Sequence, residues 1–235
     1  MVYEGVAITK LRPLLLQDSW FRSCATAFQD TLLTYGKVRR LVDGEALYSR
    51  MTQLEQSLFC VLEGALCVGS TDTNGLASML VYLEPFHWFG ELPLIDGQPR
   101  THDALADGTT YVLCVPEDRL IRWLDSHPEN WRDLTRLSAY KLRVAYKVLG
   151  EPGTLLQLVA RRLWLAAHGF GSRTEDPRNI LRLSQEQLAF MLGVSRPSVH
   201  KALRMLELDG IIKQHYRKIE VIDLAALAAS AKYLS

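Results

Sequence analysis

The chain has 235 residues, 48% of them apolar, and 27 Lys and Arg against 26 Asp and Glu, for a net charge of +1. That is enough apolar material for one large or two modest domains, and it argues against disorder. No apolar stretch approaches the ~18–20 residues of a membrane span, and the start, MVYEGVAITKLRP, has no signal-peptide pattern, so a cytoplasmic protein without a membrane partner is expected.

Taken in chain order, residues 11–36 read as two short helices ending near Gly36. From Lys37 to about Pro116 the texture changes to short apolar runs, VRRLVDGEALY, SLFCVLEGALCVGS, ASMLVYLEP and TTYVLCVP. They are broken at Asp43-Gly44, Glu63-Gly64, Thr73-Asn74-Gly75, Asp96-Gly97 and Asp107-Gly108. Short strands at that spacing predict an antiparallel sandwich or barrel. Glu117 to Asp125 reads as a small helix, and Asn130 to Leu149 as a long one with a broad apolar stripe. Gly150-Glu151-Pro152-Gly153 must end it and marks a hinge. Thr154 to Ala167 forms a further helix, followed by the loop HGFGSRTEDPRN. The four cysteines, Cys24, Cys60, Cys67 and Cys114, form no CxxC pair. The last three sit in strand-like runs as small buried hydrophobes, while Cys24 is open to the reading of an exposed thiol.

Residues 184–207, SQEQLAFMLGVSRPSVHKALRMLE, are the most informative stretch. Ser184 stands at the N-cap of a helix from Gln185 to Leu192, and Gly193 supplies the positive φ of a tight turn. Ser195 caps a second helix with Pro197 in its first turn, where a missing N–H costs nothing. Leu188, Met191 and Leu192 face inward from the first helix, and Val199, Ala202, Leu203 and Leu206 from the second. Left outward are Arg196, Ser198, His200 and Lys201, with Arg204 a turn later, as a helix in a DNA major groove requires. Caps, turn glycine and stripe agree with one another, against a plain hairpin with a solvated charged face. After it, IIKQ, HYRK and KIEVID read as two strands around a basic turn, a wing, and DLAALAASAKYL as a closing helix. From Thr154 onward there are twelve basic against seven acidic side chains, so this third carries +5 and the rest −4, the electrostatic footprint of phosphate contact.

Barrel, long helix, hinge and winged helix-turn-helix in this order resemble the cyclic AMP receptor protein / fumarate–nitrate reduction regulator (Crp/Fnr) family of bacterial transcription factors, over about residues 19 to 225. The two most specific segments are the helix pair and FGELPLIDGQPRT at 89–101, which looks like the family's phosphate-binding cassette. The resemblance implies an α+β protein: a β jelly-roll effector domain over 1–126, a dimerisation helix and hinge over 127–153, and a winged helix-turn-helix domain over 154–235. It implies a homodimer on a pseudo-palindromic operator in double-stranded DNA, controlled by a small effector, with cyclic AMP or cyclic GMP as candidates and RNA polymerase as a further partner. The effector contacts fall on Phe89, Gly90, Glu91, Leu92, Arg100 and Thr101. Arg100 offers a guanidinium fork, Thr101 a hydroxyl, Glu91 an acceptor for a ribose hydroxyl, and the turn into the short helix its free N–H groups. The alternative for Glu91 and Arg100 is to pair with each other and merely stabilise the loop.

The DNA contacts fall on Ser184, Gln185, Ser195, Arg196, Ser198, His200 and Lys201, with Arg217 and Lys218 as phosphate clamps in the wing. Arg196 is the candidate for a bidentate contact to guanine. Pro197 stands where many relatives carry a glutamate that accepts from cytosine, so a different operator is expected. Aligned through Arg136-Leu137-Ser138-Ala139, the places where nucleotide-binding members carry two hydroxyl residues fall on Val148 and Leu149, which cannot donate or accept. Either the base is read differently, or the effector is not cyclic AMP; beside the nucleotide-gated reading stand an effector-independent regulator with a vestigial pocket and one sensing a non-nucleotide signal. An iron–sulfur sensor needs an N-terminal cysteine cluster, and only Cys24 is there. A haem sensor would use a histidine near the cassette, where His87 and His102 lie, but a lone histidine is more often an ordinary hydrogen-bonded residue. No nucleophile elbow, HExxH or Walker loop is present, and the six histidines show no ligand spacing. Neither a catalytic site nor a metal site is expected.

Overall fold

The computed structural model describes residues 8–51, 56–72, 75–149, 152–169 and 177–232. The N-terminal segment is a 3₁₀ turn followed by α1 (Arg12–Leu15), α2 (Ser19–Ser23) and α3 (Thr26–Tyr35). It is thus divided more finely than the two expected helices, because the Asp18 carboxylate caps a new start by accepting from the Phe21 N–H at 2.7 Å. Then come β1 (Lys37–Leu41), β2 (Ala46–Tyr48), β3 (Ser57–Glu63), β4 (Leu66–Asp72), β5 (Gly75–Leu83) and β6 (Trp88–Phe89). The short helix α4 (Leu92–Asp96) precedes β7 (Asp103–Ala106) and β8 (Thr110–Pro116). Next are α5 (Glu117–Ser126) and the long α6 (Trp131–Leu149).

Two four-stranded antiparallel sheets, ordered β1-β8-β3-β6 and β2-β7-β4-β5, make the expected sandwich. The continuous apolar run of β3 has a direct cause: both its faces are covered. Phe59 and Val61 pack in a core with Leu41, Leu66, Val68, Leu83, Phe89, Ala104 and Val112, drawn from both sheets. Leu58, Cys60 and Leu62 point the other way, onto a second core with Phe21, Phe28, Leu32, Trp88, Leu120, Leu124 and Leu134. A strand buried on both faces loses its polar alternation. Trp88 stacks on Phe21 at 5.5 Å between ring centroids and tilts against Trp20 at 5.3 Å. Trp20 in turn donates its indole N–H to the Asp133 carbonyl at 2.6 Å, which holds the start of α6 against these helices.

Cys24 departs from the exposed-thiol alternative. It is buried, its Sγ lies 3.2 Å from the Trp20 carbonyl, and burial pushes its thiol up, away from thiolate chemistry. Cys60 and Cys67 are buried in strands as expected, and Cys114 is half-buried in β8.

The chain divides into two compact units, the first holding residues 1–76 and 80–140, the second 77–79 and 141–235. In the second, α7 (Leu155–Ala167), β9 (Ile180–Leu181), α8 (Gln185–Leu192), α9 (Arg196–Leu208), β10 (Ile212–His215), β11 (Lys218–Val221) and α10 (Leu224–Ser230) follow in order. Helix α7 opens with a reciprocal capping box between Thr154 and Gln157. The wing is a three-stranded sheet ordered β10-β11-β9. Its third strand, β9, was not legible in the sequence, because two residues are too short to show a period. Lys218 starts β11 and so lies on the strand, while the turn itself is Tyr216-Arg217. Gly150 and Glu151 of the expected hinge, residues 170–176 of the expected loop and Thr73-Asn74 lie outside the described residues. No described helix is long and apolar enough to cross a membrane.

Candidate functional site

Two groups of side chains stand out, one in each unit. The first surrounds Arg100. Phe89 ends β6, Gly90 turns the chain at φ +90°, and Glu91 occupies the N-cap position of α4. Gly90 is required on two counts: its φ is in the left-handed region, and a Cβ there would lie 2.9 Å from Phe59 and from the Ser57 carbonyl, and 3.1 Å from the Arg100 guanidinium. The cassette backbone therefore lies directly against the arginine.

Arg100 is only 5% exposed. It donates from Nη2 to the Ser57 carbonyl at 3.0 Å, and its guanidinium lies over the Tyr48 ring at 4.1 Å and the Phe59 ring at 4.9 Å. Among the described residues it makes no ion pair, and Glu117 and Glu91 act on it only at longer range. Burial draws its pKa below the ordinary arginine range. The Tyr48 hydroxyl is pushed up to about 12 by burial, against the pull of Arg100, and so remains protonated at neutral pH. Burial also raises Glu117, with Arg100 opposing. A buried cation with five donors, aromatic faces and no carboxylate at contact is costly unless an anion meets it. These residues fit an anionic ligand.

Glu91 is buried and accepts from the Ser138 hydroxyl of α6 at 3.5 Å, so the cassette carboxylate meets the long helix rather than forming an ion pair with Arg100. Thr101 is exposed, with its hydroxyl 2.8 Å from His102 Nδ1. Leu92 is also exposed, at the first position of α4. His87 is buried with its Nδ1 2.9 Å from the Glu84 carbonyl, an ordinary hydrogen-bonded histidine. Val148 and Leu149 end α6, and their side chains lie outside the description. Tyr48, Ser57, Phe59 and Ser138 were missed by the sequence reading. They reach Arg100 and Glu91 from β2, β3 and α6, and no local spacing links them.

The second group is the α8–α9 face. Ser184 Oγ accepts from the Gln187 N–H at 3.1 Å while Gln187 Oε1 accepts from the Ser184 N–H at 2.8 Å. Gly193 ends α8 at φ +62°. Ser195 Oγ caps α9, accepting from the Ser198 N–H at 3.4 Å, and lies 2.8 Å from the Ser198 hydroxyl. Val199, Ala202, Leu203 and Leu206 are buried, which leaves Arg196, Pro197, His200, Lys201 and Arg204 exposed on the opposite face. The expected contacts are thus sorted: Arg196, His200 and Lys201 stand free of the core, while Ser184, Ser195 and Ser198 have hydroxyls engaged in helix starts.

Gln185 is half-buried and binds sideways, its Nε2 lying 3.2 Å from His200 Nδ1 and 2.9 Å from Gln214 Oε1. Gln214, on β10, gives its backbone N–H to Glu207 Oε1 at 2.7 Å and its Nε2 to Glu207 Oε2 at 2.9 Å. Accepting that backbone N–H holds Glu207 below the usual carboxylate range. Gln214 and Glu207 carried no sequence signal. In the wing turn Tyr216 is 91% exposed, and Arg217 takes φ +54°, a conformation normally left to glycine. A basic side chain is kept there at some backbone cost. Arg217 and Lys218 are both exposed. Among the described residues no cluster of His, Cys, Asp and Glu could hold a metal ion.

The family model described as cyclic nucleotide-binding domain matches residues 38–127, and that described as Crp-like helix-turn-helix domain matches residues 154–230. The chain is 28% identical over 182 residues to the CRP-like cAMP-activated global transcriptional regulator of Mycobacterium tuberculosis, covering 74% of this chain and 80% of that protein. It is 25% identical over 210 residues to the cyclic AMP receptor protein of Thermus thermophilus, covering 88% and 94% respectively. Among solved structures, FixK2 of Bradyrhizobium japonicum shares the fold with a TM-score of 0.68 at 21% identity, over 83% of this chain and 96% of that one.

Proposed function

Because this chain belongs to the Crp/Fnr family, DNA-binding transcription regulators with an effector-binding domain, we propose that it works as a homodimer that reads a pseudo-palindromic operator through α9 and is gated by a cyclic nucleotide at Arg100. The observation that carries the reading is the outward face of α9. Three cations and a histidine, Arg196, His200, Lys201 and Arg204, are exposed on a helix whose opposite face is buried and whose start is fixed by a capped turn. In this reading Arg196 makes a bidentate guanine contact, Lys201 meets a base or phosphate, and Arg217 and Lys218 meet phosphate oxygens of the flanking backbone.

One such helix buries too little to select a site, so two half-sites one helical turn apart are expected. Leu142 and Tyr146, exposed at 50% and 64% on α6, supply apolar surface for the dimer seam. In this reading the functional division is an effector domain over 1–126, a dimer helix and hinge over 127–153 and a DNA-binding domain over 154–235. The protein acts in the cytoplasm, without catalysis, and RNA polymerase is its further partner on DNA.

A cyclic nucleotide supplies a single negative charge in a compact ring. Arg100 holds that charge, the Thr101 hydroxyl turns from His102 to donate to it, and Glu91 accepts from a sugar hydroxyl. Binding that favours one arrangement of α6 sets the separation of the two recognition helices. The burial of Arg100 with no ion pair among the described residues favours this reading over a vestigial pocket.

The test is calorimetric titration of the purified protein with cyclic AMP and cyclic GMP, repeated with Arg100→Ala, alongside selection from a randomised duplex pool. Saturable heat lost in the variant and an enriched inverted repeat are expected. No heat with either nucleotide sinks the effector assignment, and no enrichment sinks the operator assignment.

A further inference from the structure

The contacts of Gln185 hold more than an anchor. We propose that Glu207, Gln214 and Gln185 form a relay that fixes the hydrogen-bonding polarity of His200, so that its Nε2–H is a dedicated donor toward an acceptor atom of DNA. The inference rests on the DNA-binding reading above and names positioning residues within that face.

The direction of each bond follows from its one unambiguous member. Glu207 is ionised and a carboxylate only accepts, so both groups facing it, the Gln214 backbone N–H and side-chain Nε2, are donors. With its NH₂ on Glu207, the Gln214 amide turns its oxygen to Gln185. An oxygen there requires the Gln185 NH₂, and the second hydrogen of that NH₂ points at His200 Nδ1. Nδ1 is therefore an acceptor, and the proton of the neutral ring sits on Nε2. His200 is exposed on α9, so the ring presents a donor of settled polarity to whatever α9 meets. Gln185, the first residue of α8, keeps its Oε1 as an acceptor.

The chain of contacts spans β10, α9 and α8. It lets the wing strand determine which atom of the recognition helix carries a proton. A donor matches guanine O6 and N7, adenine N7 or thymine O4 in the major groove, and opposes the cytosine N4 amino group. It equally matches a phosphate oxygen. The shared chemistry is a hydrogen-bond acceptor on DNA, and the arms of the test separate base from backbone.

The relay makes an unusual prediction for Glu207→Gln, a change of nearly equal shape. The new Oε1 still accepts the Gln214 backbone N–H, so the new Nε2 faces the Gln214 side chain. The Gln214 amide must flip, the Gln185 amide flips with it, and His200 then meets an oxygen and must carry its proton on Nδ1. The full-length protein with ¹⁵N-labelled histidine would be compared by NMR as wild type, Glu207→Gln and Gln214→Leu, using His200→Ala to assign the signal. Expected are the Nε2–H tautomer in wild type, Nδ1–H in Glu207→Gln, and loss of a single preference in Gln214→Leu. An Nδ1–H wild type, or no change in Glu207→Gln, overturns the relay.

Affinity is then measured for the selected operator, its single-base variants and an unrelated duplex. His200→Ala should lose roughly two- to tenfold, as for one hydrogen bond, Gln214→Leu about twofold, since the Nε2–H form stays partly populated, and the double variant no more than His200→Ala alone. A loss confined to one operator position, with Glu207→Gln shifting preference there toward cytosine or adenine, assigns a base edge. An equal loss on every duplex assigns a phosphate. Additive losses, or wild-type binding by His200→Ala, overturn the proposal. If wild type binds no duplex at all, the DNA-binding reading fails, while the tautomer result still decides the relay.

Discussion

Arg100 and Arg196 are both cations, each proposed to meet an anionic partner, yet they are held in opposite ways. Arg100 is 5% exposed, set against the Tyr48 and Phe59 rings and tied to the Ser57 carbonyl. Arg196 is exposed at the first position of α9. A buried guanidinium gains strength from the low dielectric around it but accepts one ligand in one pose. An exposed one is weaker and screened by salt, yet it can slide along a backbone before meeting its base. The difference suits a sensor that must discriminate small molecules and a reader that must first find DNA.

The comparison can be broken or sharpened by substitution. The largest effect is expected for Arg196→Glu, which would replace the proposed bidentate guanine contact, worth about 1–3 kcal/mol, by a repelled carboxylate. Operator binding should fall by two orders of magnitude or more in a mobility-shift titration, with the circular dichroism spectrum unchanged. Retained affinity would remove Arg196 from the interface. Gly90→Ala comes next. A left-handed φ together with Cβ contacts at 2.9 Å should cost the first unit about 1–3 kcal/mol in denaturant unfolding, and weaken any ligand of Arg100 while sparing DNA contacts at equal folded fraction.

Arg100→Met should run the other way in stability. Removing a buried charge that has no counter-ion among the described residues is expected to leave the ligand-free protein as stable or about 1 kcal/mol more so, while abolishing the proposed nucleotide binding. A clear loss of stability would mean that the Ser57 and aromatic contacts already compensate the charge. The smallest effect belongs to Ser184→Ala. Losing one half of the α8 capping box should cost about 1 kcal/mol, seen as a lower melting temperature of the second unit with only a modest change in DNA affinity.

The two sites also differ in how far they could be read without coordinates. The α8–α9 pair was legible almost residue by residue. Caps, the turn glycine and the i, i+3, i+4 stripe are local, so Ser184, Gly193, Ser195 and the buried Val199–Leu206 face follow from spacing alone. What spacing missed was lateral: Gln185 and Gln214 meet across 29 positions, and β9 is too short to announce itself. The cassette was recognised as a segment, and Arg100 within it. Its setting was not, since Tyr48, Ser57, Phe59 and Ser138 arrive from three separate elements. Glu91 meets Ser138 of α6, 47 positions away, a contact that no local spacing announces. Cys24 shows the same limit, a residue beside exposed neighbours that the aromatic core nonetheless encloses.

The sequence by itself determined the order of elements, the strand texture of the first unit and the recognition helix with its outward cations. These depend on period, capping chemistry and backbone preference, each acting over a few residues. Only the tertiary structure decided that Arg100 is buried with no ion partner among the described residues, that β3 is covered on both faces, and that Glu207 is joined to His200 through two amides. Those facts depend on which distant side chains share a volume, and on the cost of leaving a charge or a donor there unmet, which no local window contains.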